Sequence, residues 1–336
     1  MLEVENLTKI YKSEFWRRPL GGITNLSFSV KEGSVAGFIG ANGAGKSTTL
    51  KILAGLIRPN SGRAFINGKS PEAAQTRAHV GYMPELPYLM DYLSGKEFLQ
   101  YCGRLYNLDS KKIETGIQRV THLLALQPEW LSKKIKTYSK GMVQRLGLAQ
   151  ALLHQPKILL LDEPLSGLDP LGRRQLRDVL LQLKREGITL FYSTHVLSDL
   201  ELVCDDVVVL NQGKLLYAGA VKDWVKPLGY QITLKQSLPP ELLTHSLPLS
   251  EVTTSVVGQH FQYTCRSDSV KQNLIALAVD QKCEIIECLI LKPDFETALT
   301  QKVTETPYAP QSVVEDANNP PLLKSAPQVH THKESP

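Results

Sequence analysis

The chain lacks the features that mark several protein classes. Its 336 residues hold no apolar run approaching the ~18 residues of a spanning helix. The opening MLEVENLTKIYK lacks the basic-then-apolar order of a signal peptide. A protein that is soluble, or held at a membrane only through a partner, is therefore expected. Cysteine is scarce: Cys102, Cys204, Cys265, Cys283 and Cys288 form no CxxC pair and leave an odd one over, which reads as reduced cytosolic thiols. Charge of one sign is scarce too. The formal net charge is +5; residues 303–336 hold two Lys and four acidic residues, a net of −2, so residues 1–302 carry +7. That excess suits a phosphate ligand or an anionic surface but is too weak and dispersed for nucleic acid. No internal repeat is visible.

What is present is ordinary globular material, 42% hydrophobic and 21% charged, with length for a full α/β domain and a smaller one. Residues 2–7 and 24–30 alternate like an antiparallel strand pair. SVAGFIG is a short apolar strand that breaks into a glycine-rich turn and then a helix over Lys46 to Leu56. Residues 87–153 read as mostly helical. KILLLDE and GITLFYST read as buried strands, each followed by a helix, which is the alternation of a parallel sheet. DVVVLNQGKLLYAG reads as a hairpin turning at Gln212-Gly213. Beyond Lys222 the pattern becomes strand, hairpin around Gly258, helix, strand and a last helix from Pro293, a small α+β module with a ferredoxin-like order. From Val303, six prolines among polar residues predict a disordered tail.

Two motifs carry chemistry. GANGAGKST fits G-x-x-x-x-G-K-[ST] from Gly40 to Ser47, between a predicted strand and a predicted helix. Backbone N–H groups must wrap a β-phosphate, which calls for Gly43 and Gly45 without Cβ atoms. Lys46 would neutralise the β- and γ-phosphates and Ser47 would reach Mg²⁺. ILLLDEP then places Asp162 and Glu163 at the end of an apolar strand, where parallel sheets present their ligands. Asp162 suits the Mg²⁺ shell, and Glu163 suits an attacking water beside the γ-phosphate. A third stretch, YSKGMVQRLGLAQALL, opens with Ser139-Lys140-Gly141 where a helix should begin, as a helix cap would.

Taken in order, Tyr11, GANGAGKST, GYMPE, YSKGMVQ, ILLLDEP, SGLDP and STH resemble the motif series of an ATP-binding cassette (ABC) transporter ATPase. The resemblance covers roughly residues 1–220. GYMPE and YSKGM narrow it to the ABC-2-type exporter branch, whose ATPase subunits are separate polypeptides. It implies an α/β fold: a P-loop ABC core of parallel sheet, flanking helices and an antiparallel β subdomain over 1–222, with a helical subdomain inserted at about 86–155. A small α+β accessory module over 223–302 and a tail over 303–336 would follow.

The resemblance further implies ATP and Mg²⁺ as cofactors and assigns roles residue by residue. Tyr11 matches the aromatic that stacks on adenine, although the inserted SEFWRRP lets Phe15 or Trp16 compete. Gly40, Asn42, Gly43, Ala44, Gly45, Lys46, Ser47 and Thr48 match the phosphate cradle. Asp169 matches the loop linking the two sites of a dimer, and His195 the switch histidine at the γ-phosphate. Glu85 stands where a glutamine commonly serves Mg²⁺ and the water; it keeps the metal and catalytic role but cannot donate as an amide does. Ser139 and Gly141 match the signature groups that complete the opposite subunit's site. Lys140 replaces a usual glycine, its side chain either turned away or adding charge near the γ-phosphate.

The implied partners are a second ATPase subunit, as a homodimer or with a paralogue, and separately encoded permease subunits. The implied place is cytoplasmic, on the inner face of the membrane. Residues 84–101 are the expected docking surface, unless LPYLMDYL is ordinary helix core. A chromosome-structure ATPase would insert a coiled coil longer than residues 50–138 allow, and a ribosome-binding factor normally carries two cassettes. A regulatory or assembly factor without transport is the alternative, but a non-hydrolysing regulator would tend to lose Glu163. Drug, polysaccharide or lipid export and metal-centre assembly all fit the motifs equally.

Overall fold

The structure, a computed structural model, describes residues 1–12, 19–224, 227–246, 248, 251–293 and 297–298. The chain opens with β1 (Leu2–Lys12) and β2 (Pro19–Val30), which pair antiparallel. Both strands outrun the predicted 2–7 and 24–30. Asn6 and Asn25 sit at φ +48° and +53°, beside register shifts. Such bulges break the two-residue alternation without ending the strand.

β3 (Val35–Gly40) leads through the glycine turn into α1 (Lys46–Leu53), three residues shorter than predicted. Gly55 at φ +70° closes the helix in the left-handed region. β4 (Ser61–Ile66) returns to pair with β1, completing a three-stranded sheet ordered β2-β1-β4. After α2 (Ala74–Arg77) and β5 (Val80–Met83) the chain enters the helical region: α3 (Gly95–Leu105), α4 (Ser110–Leu123), α5 (Pro128–Ser132) and α6 (Lys140–Leu152). α3 starts on a capping box. Ser94 N–H donates to Glu97 Oε2 at 2.7 Å and Glu97 N–H to Ser94 Oγ at 3.3 Å. These bonds hold the Glu97 carboxyl down at about 2.

Residues 84–94 carry no helix. Tyr88 is 94% exposed and Tyr92 65%, so LPYLMDYL is not helix core. Its apolar spacing imitates a helix, but Pro87 packs against Gly147 of α6 and fixes the segment as an extended loop.

Next come β6 (Ile158–Leu161), α7 (Pro170–Arg185), β7 (Thr189–Thr194), α8 (Leu197–Val203), β8 (Asp206–Asn211) and β9 (Lys214–Ala220). The six-stranded sheet is ordered β5-β6-β7-β3-β8-β9, parallel except for β9. Its strands are apolar on both faces because both are covered. Ala36, Phe38, Ile158, Leu160 and Phe191 face α1 and the three-stranded sheet. Val35, Ile39, Leu159, Leu161 and Tyr192 face the helical side. The β8–β9 hairpin turns at Gln212 and Gly213, with φ +48° and +77°, as a tight hairpin turn requires.

Past α9 (Val221–Trp224), the chain runs β10 (Gly229–Leu234), α10 (Pro240–Ser246), β11 (Val252–Val257), β12 (His260–Cys265), α11 (Asp268–Asp280) and β13 (Ile285–Leu291). The antiparallel sheet is ordered β11-β12-β10-β13, and this β-α-β-β-α-β unit is ferredoxin-like. Ile232, Leu234, Tyr263, Val270 and Leu274 form its core. Most of the helix predicted from Pro293, and the predicted tail, lie outside the described residues. Among the described residues no helix is long and apolar enough to cross a membrane.

Candidate ATP site at the ends of the parallel strands

The loop after β3 is shaped by its glycines. Gly43 and Gly45 sit at φ +80° and +102°, a region that side chains disfavour. Gly45 has a second reason: a Cβ there would strike the Ile23 side chain and approach Gly22 O at 3.2 Å. Asn42 and Gly43 are exposed and Ala44 is buried. Ser47 and Thr48 are half-buried in the first turn of α1, where free N–H groups and the helix dipole favour an anion.

Lys46 is only 7% exposed. Its Nζ donates to Gly40 O at 2.7 Å and Ala41 O at 3.4 Å, and lies 3.8 Å from Glu163 Oε1. The ammonium thus sits over its own loop, facing the carboxylate at the end of β6.

Glu163 is the centre of the cluster. Its backbone is at φ +48°, sparsely populated by side-chain-bearing residues. Ser193, the penultimate residue of β7, holds it there. Glu163 N–H donates to Ser193 Oγ at 2.8 Å, and Ser193 Oγ donates to Asp162 Oδ1 at 2.7 Å. His195 Nδ1 lies 2.9 Å from Glu163 Oε2. The fold therefore brings together Lys46, Asp162, Glu163 and His195, with Ser193 as the tie. Sequence reasoning missed Ser193. The available signal was a serine near the end of an apolar strand, two residues before the histidine.

The donor set fits Mg²⁺. Asp162 is 3% exposed with one carboxylate oxygen taken by Ser193, and Ser47 offers a hydroxyl. Among the described residues no group of three or more His, Cys, Asp or Glu forms an all-protein cage. Mg²⁺ with one or two protein oxygens, phosphates and waters needs none.

Other predicted residues stand apart from this cluster. Ser139 caps α6, accepting Met142 N–H at 3.3 Å, and is exposed. A Cβ on Gly141 would meet only Leu168 Cδ2, at 3.5 Å. Lys140 lies over Gly167, which is at φ +69° and has no room for a Cβ beneath the lysine stem. Its side chain therefore packs on its own chain's SGLDP loop. Asp169 caps α7, accepting Gly172 N–H at 2.8 Å. Glu85 is exposed; its backbone carbonyl accepts from Gln144 Nε2 at 3.1 Å, tying the GYMPE loop to α6. No hydrogen bond or ion pair among the described residues joins the Glu85 carboxylate to the cluster. Tyr11 is 41% exposed, with Lys9 Nζ 5.8 Å from its ring centroid. Phe15 and Trp16 lie outside the described residues.

Residues 23–166 match the family described as ABC transporter. An uncharacterized ABC transporter ATP-binding protein of Synechocystis, sll0415, is 41% identical over 238 residues, 70% of this chain and 67% of its own length. YxlF of Bacillus subtilis, of the same description, is 36% identical over 303 residues, 87% of this chain and 99% of its own. The chain belongs to the ABC transporter ATP-binding family. The bacitracin transport ATP-binding protein BcrA of Bacillus licheniformis is 37% identical, covering 64% of this ABC ATPase and 68% of its own length. Among solved structures, the ATP-binding subunit of an ABC transporter superposes with TM-score 0.59 at 31% identity, over 67% of this chain and 91% of that one. A dimeric, post-hydrolysis structure of the cassette MJ0796 bound to ADP and Pi superposes with TM-score 0.61 at 23% identity, over 66% and 99%. The latter likeness concerns fold alone.

Proposed function

We propose that this ABC ATPase works as a nucleotide-sandwich dimer that drives a separately encoded membrane permease in the direction of export. The observation that carries the catalytic half is Glu163, fixed between Lys46 and His195 with its backbone tied to Ser193 and Asp162.

In this reading the Gly40–Thr48 loop binds the ATP phosphates through backbone N–H groups, and Lys46 pairs with their charge. Ser47 and Asp162 are the residues that would hold Mg²⁺, with Glu85 approaching from the GYMPE loop; bound there, the ion neutralises phosphate charge. Glu163 accepts the proton of the attacking water, and His195 orients the Glu163 carboxylate beside the γ-phosphate. Tyr11 supports the adenine.

Exposed Ser139 and half-buried Gly141 form a helix start that touches none of these groups within one chain, which supports a role toward a second copy's ATP. Asp169 would link the two sites. Closure moves the permease because ATP binds the closed dimer better than the open one. The exposed Leu86, Tyr88 and Tyr92 form the proposed permease contact. The dimeric MJ0796 cassette and the transport named for BcrA support the dimer and the transport role. We place the ATPase domain at 1–222, the accessory module at 223–302, and the protein on the inner face of the membrane through its permease.

The test is steady-state ATPase activity of Glu163→Gln. The amide cannot take the proton, so turnover should fall by about 10²–10⁴-fold with ATP still bound. A variant as fast as wild type would remove Glu163 from its role.

A further inference from the structure

β13 is an edge strand of unusual composition. Edge strands normally carry lysine, proline or inward charge that discourages pairing. The sequence IIECLIL carries one charge, Glu287, and its irregularity is confined to a register shift near Ile286. Ile286, Leu289 and Ile290 are 45%, 41% and 54% exposed, and Cys288 is exposed.

The direction of its backbone groups follows from the pairing on the other side. Lys235 N–H donates to Glu284 O at 3.0 Å and Leu228 N–H to Leu291 O at 2.8 Å. The Leu291 carbonyl therefore points to β10, and by alternation the backbone groups of Leu289 and Glu287 do too. Cys288 and Ile290, between them, turn their N–H and C=O groups outward, where no described residue pairs with them.

We infer that this edge pairs antiparallel with β13 of a second copy of the chain, about a two-fold axis at Cys288. The seam is self-complementary, as an isologous contact must be. Cys288 lies opposite Cys288 as a hydrogen-bonded pair, and Ile290 lies opposite Ile286. At each end, Glu284 of one copy comes beside Lys292 of the other, so opposite charges meet twice. Both residues have partners in their own chain, Lys235 at 2.8 Å and Glu201 at 2.6 Å. These are surface pairs that exchange at little cost. A two-strand seam is smaller than the ~1,200–2,000 Å² of a standard interface. It therefore adds to the ATP-dependent contact, joining the two accessory sheets into one of eight strands. The inference needs a second copy but not the assigned roles of Ser139 or Glu163.

The test treats the full-length protein with a short bis-maleimide, with and without Mg-ATP, and reads covalent dimer on a denaturing gel. Wild type should cross-link, more so with ATP as the sandwich raises the local concentration of the partner strand. Cys288→Ser should abolish the product. Ile290→Pro should abolish it too while keeping the far-UV spectrum, because the lost N–H points away from β10. Lys292→Glu should cut the yield severalfold, and Glu284→Lys with Lys292→Glu should restore it. Absence of product in wild type with ATP overturns the seam, as does product persisting in Cys288→Ser or Ile290→Pro. Cross-linking that appears only after removal of residues 303–336 assigns the edge to the chain's own tail and equally overturns it.

Discussion

Ser193 shows how much of the site rests on one small side chain. Its hydroxyl accepts from Glu163 N–H and donates to Asp162, so it fixes the proposed base and the proposed metal ligand together. Ser193→Ala should lower kcat by about 10–100-fold, the usual cost of losing a supporting bond, with ATP affinity nearly unchanged. A KM-against-kcat comparison separates this from loss of binding. The residues proposed to touch phosphate were legible because chemistry fixes their type and spacing. Ser193 was not, since its role depends on β6 and β7 lying side by side. Lys140 was legible only as two alternatives; within its own chain the side chain packs on Gly167.

His154 gives a second residue-level prediction. It stacks on Tyr106 with centroids 3.9 Å apart, its Nε2–H donates to Val80 O at 3.2 Å, and buried Nδ1 has no hydrogen-bond partner among the described residues. Burial pushes the imidazole down from 6.5 to about 4. Between those values the unfolded chain binds more protons than the folded one, so stability rises with pH across the window. The contribution is complete above 6.5 and is lost as pH falls toward 4. His154→Gln should show a smaller drop in urea midpoint between pH 7 and pH 5 than wild type.

Between the elements, α7 and α8 are locked by a buried carboxylate. Asp199 is 1% exposed and receives Arg173 at 3.0 Å and Arg177 at 3.1 Å. α7 is capped by Asp169 and α8 starts two residues after His195, so the clamp joins the helices that follow the Asp169 and His195 loops. Replacing both arginines with alanine strands a buried charge and should cost about 3–5 kcal/mol in urea unfolding. Asp199→Ala should cost less, because the arginine side chains, 31% and 25% exposed, can rehydrate. Helices with clear caps and strands with clean apolar runs were readable from sequence. The misreadings had local causes: bulges at Asn6 and Asn25 hid the length of the first two strands. The apolar spacing of residues 86–93 imitated a helix that Pro87 and exposure do not support.

At the scale of the whole molecule, the ferredoxin-like pattern of the accessory module was legible, but the short helix α10 after its first strand and its exposed edge were not. Which strand ends up outermost depends on sheet order, and IIECLIL reads like any buried strand. The ATP site has the same property. Ser139 and Gly141 carry family-typical chemistry yet contact none of the cluster in their own chain, so the account stands or falls on a second copy. Light scattering on Glu163→Gln with Mg-ATP measures this directly. The account predicts a shift from the 37.3 kDa chain mass to twice that value, reversed when Ser139→Arg is added. A Glu163→Gln protein that binds ATP yet stays at the single-chain mass would contradict it.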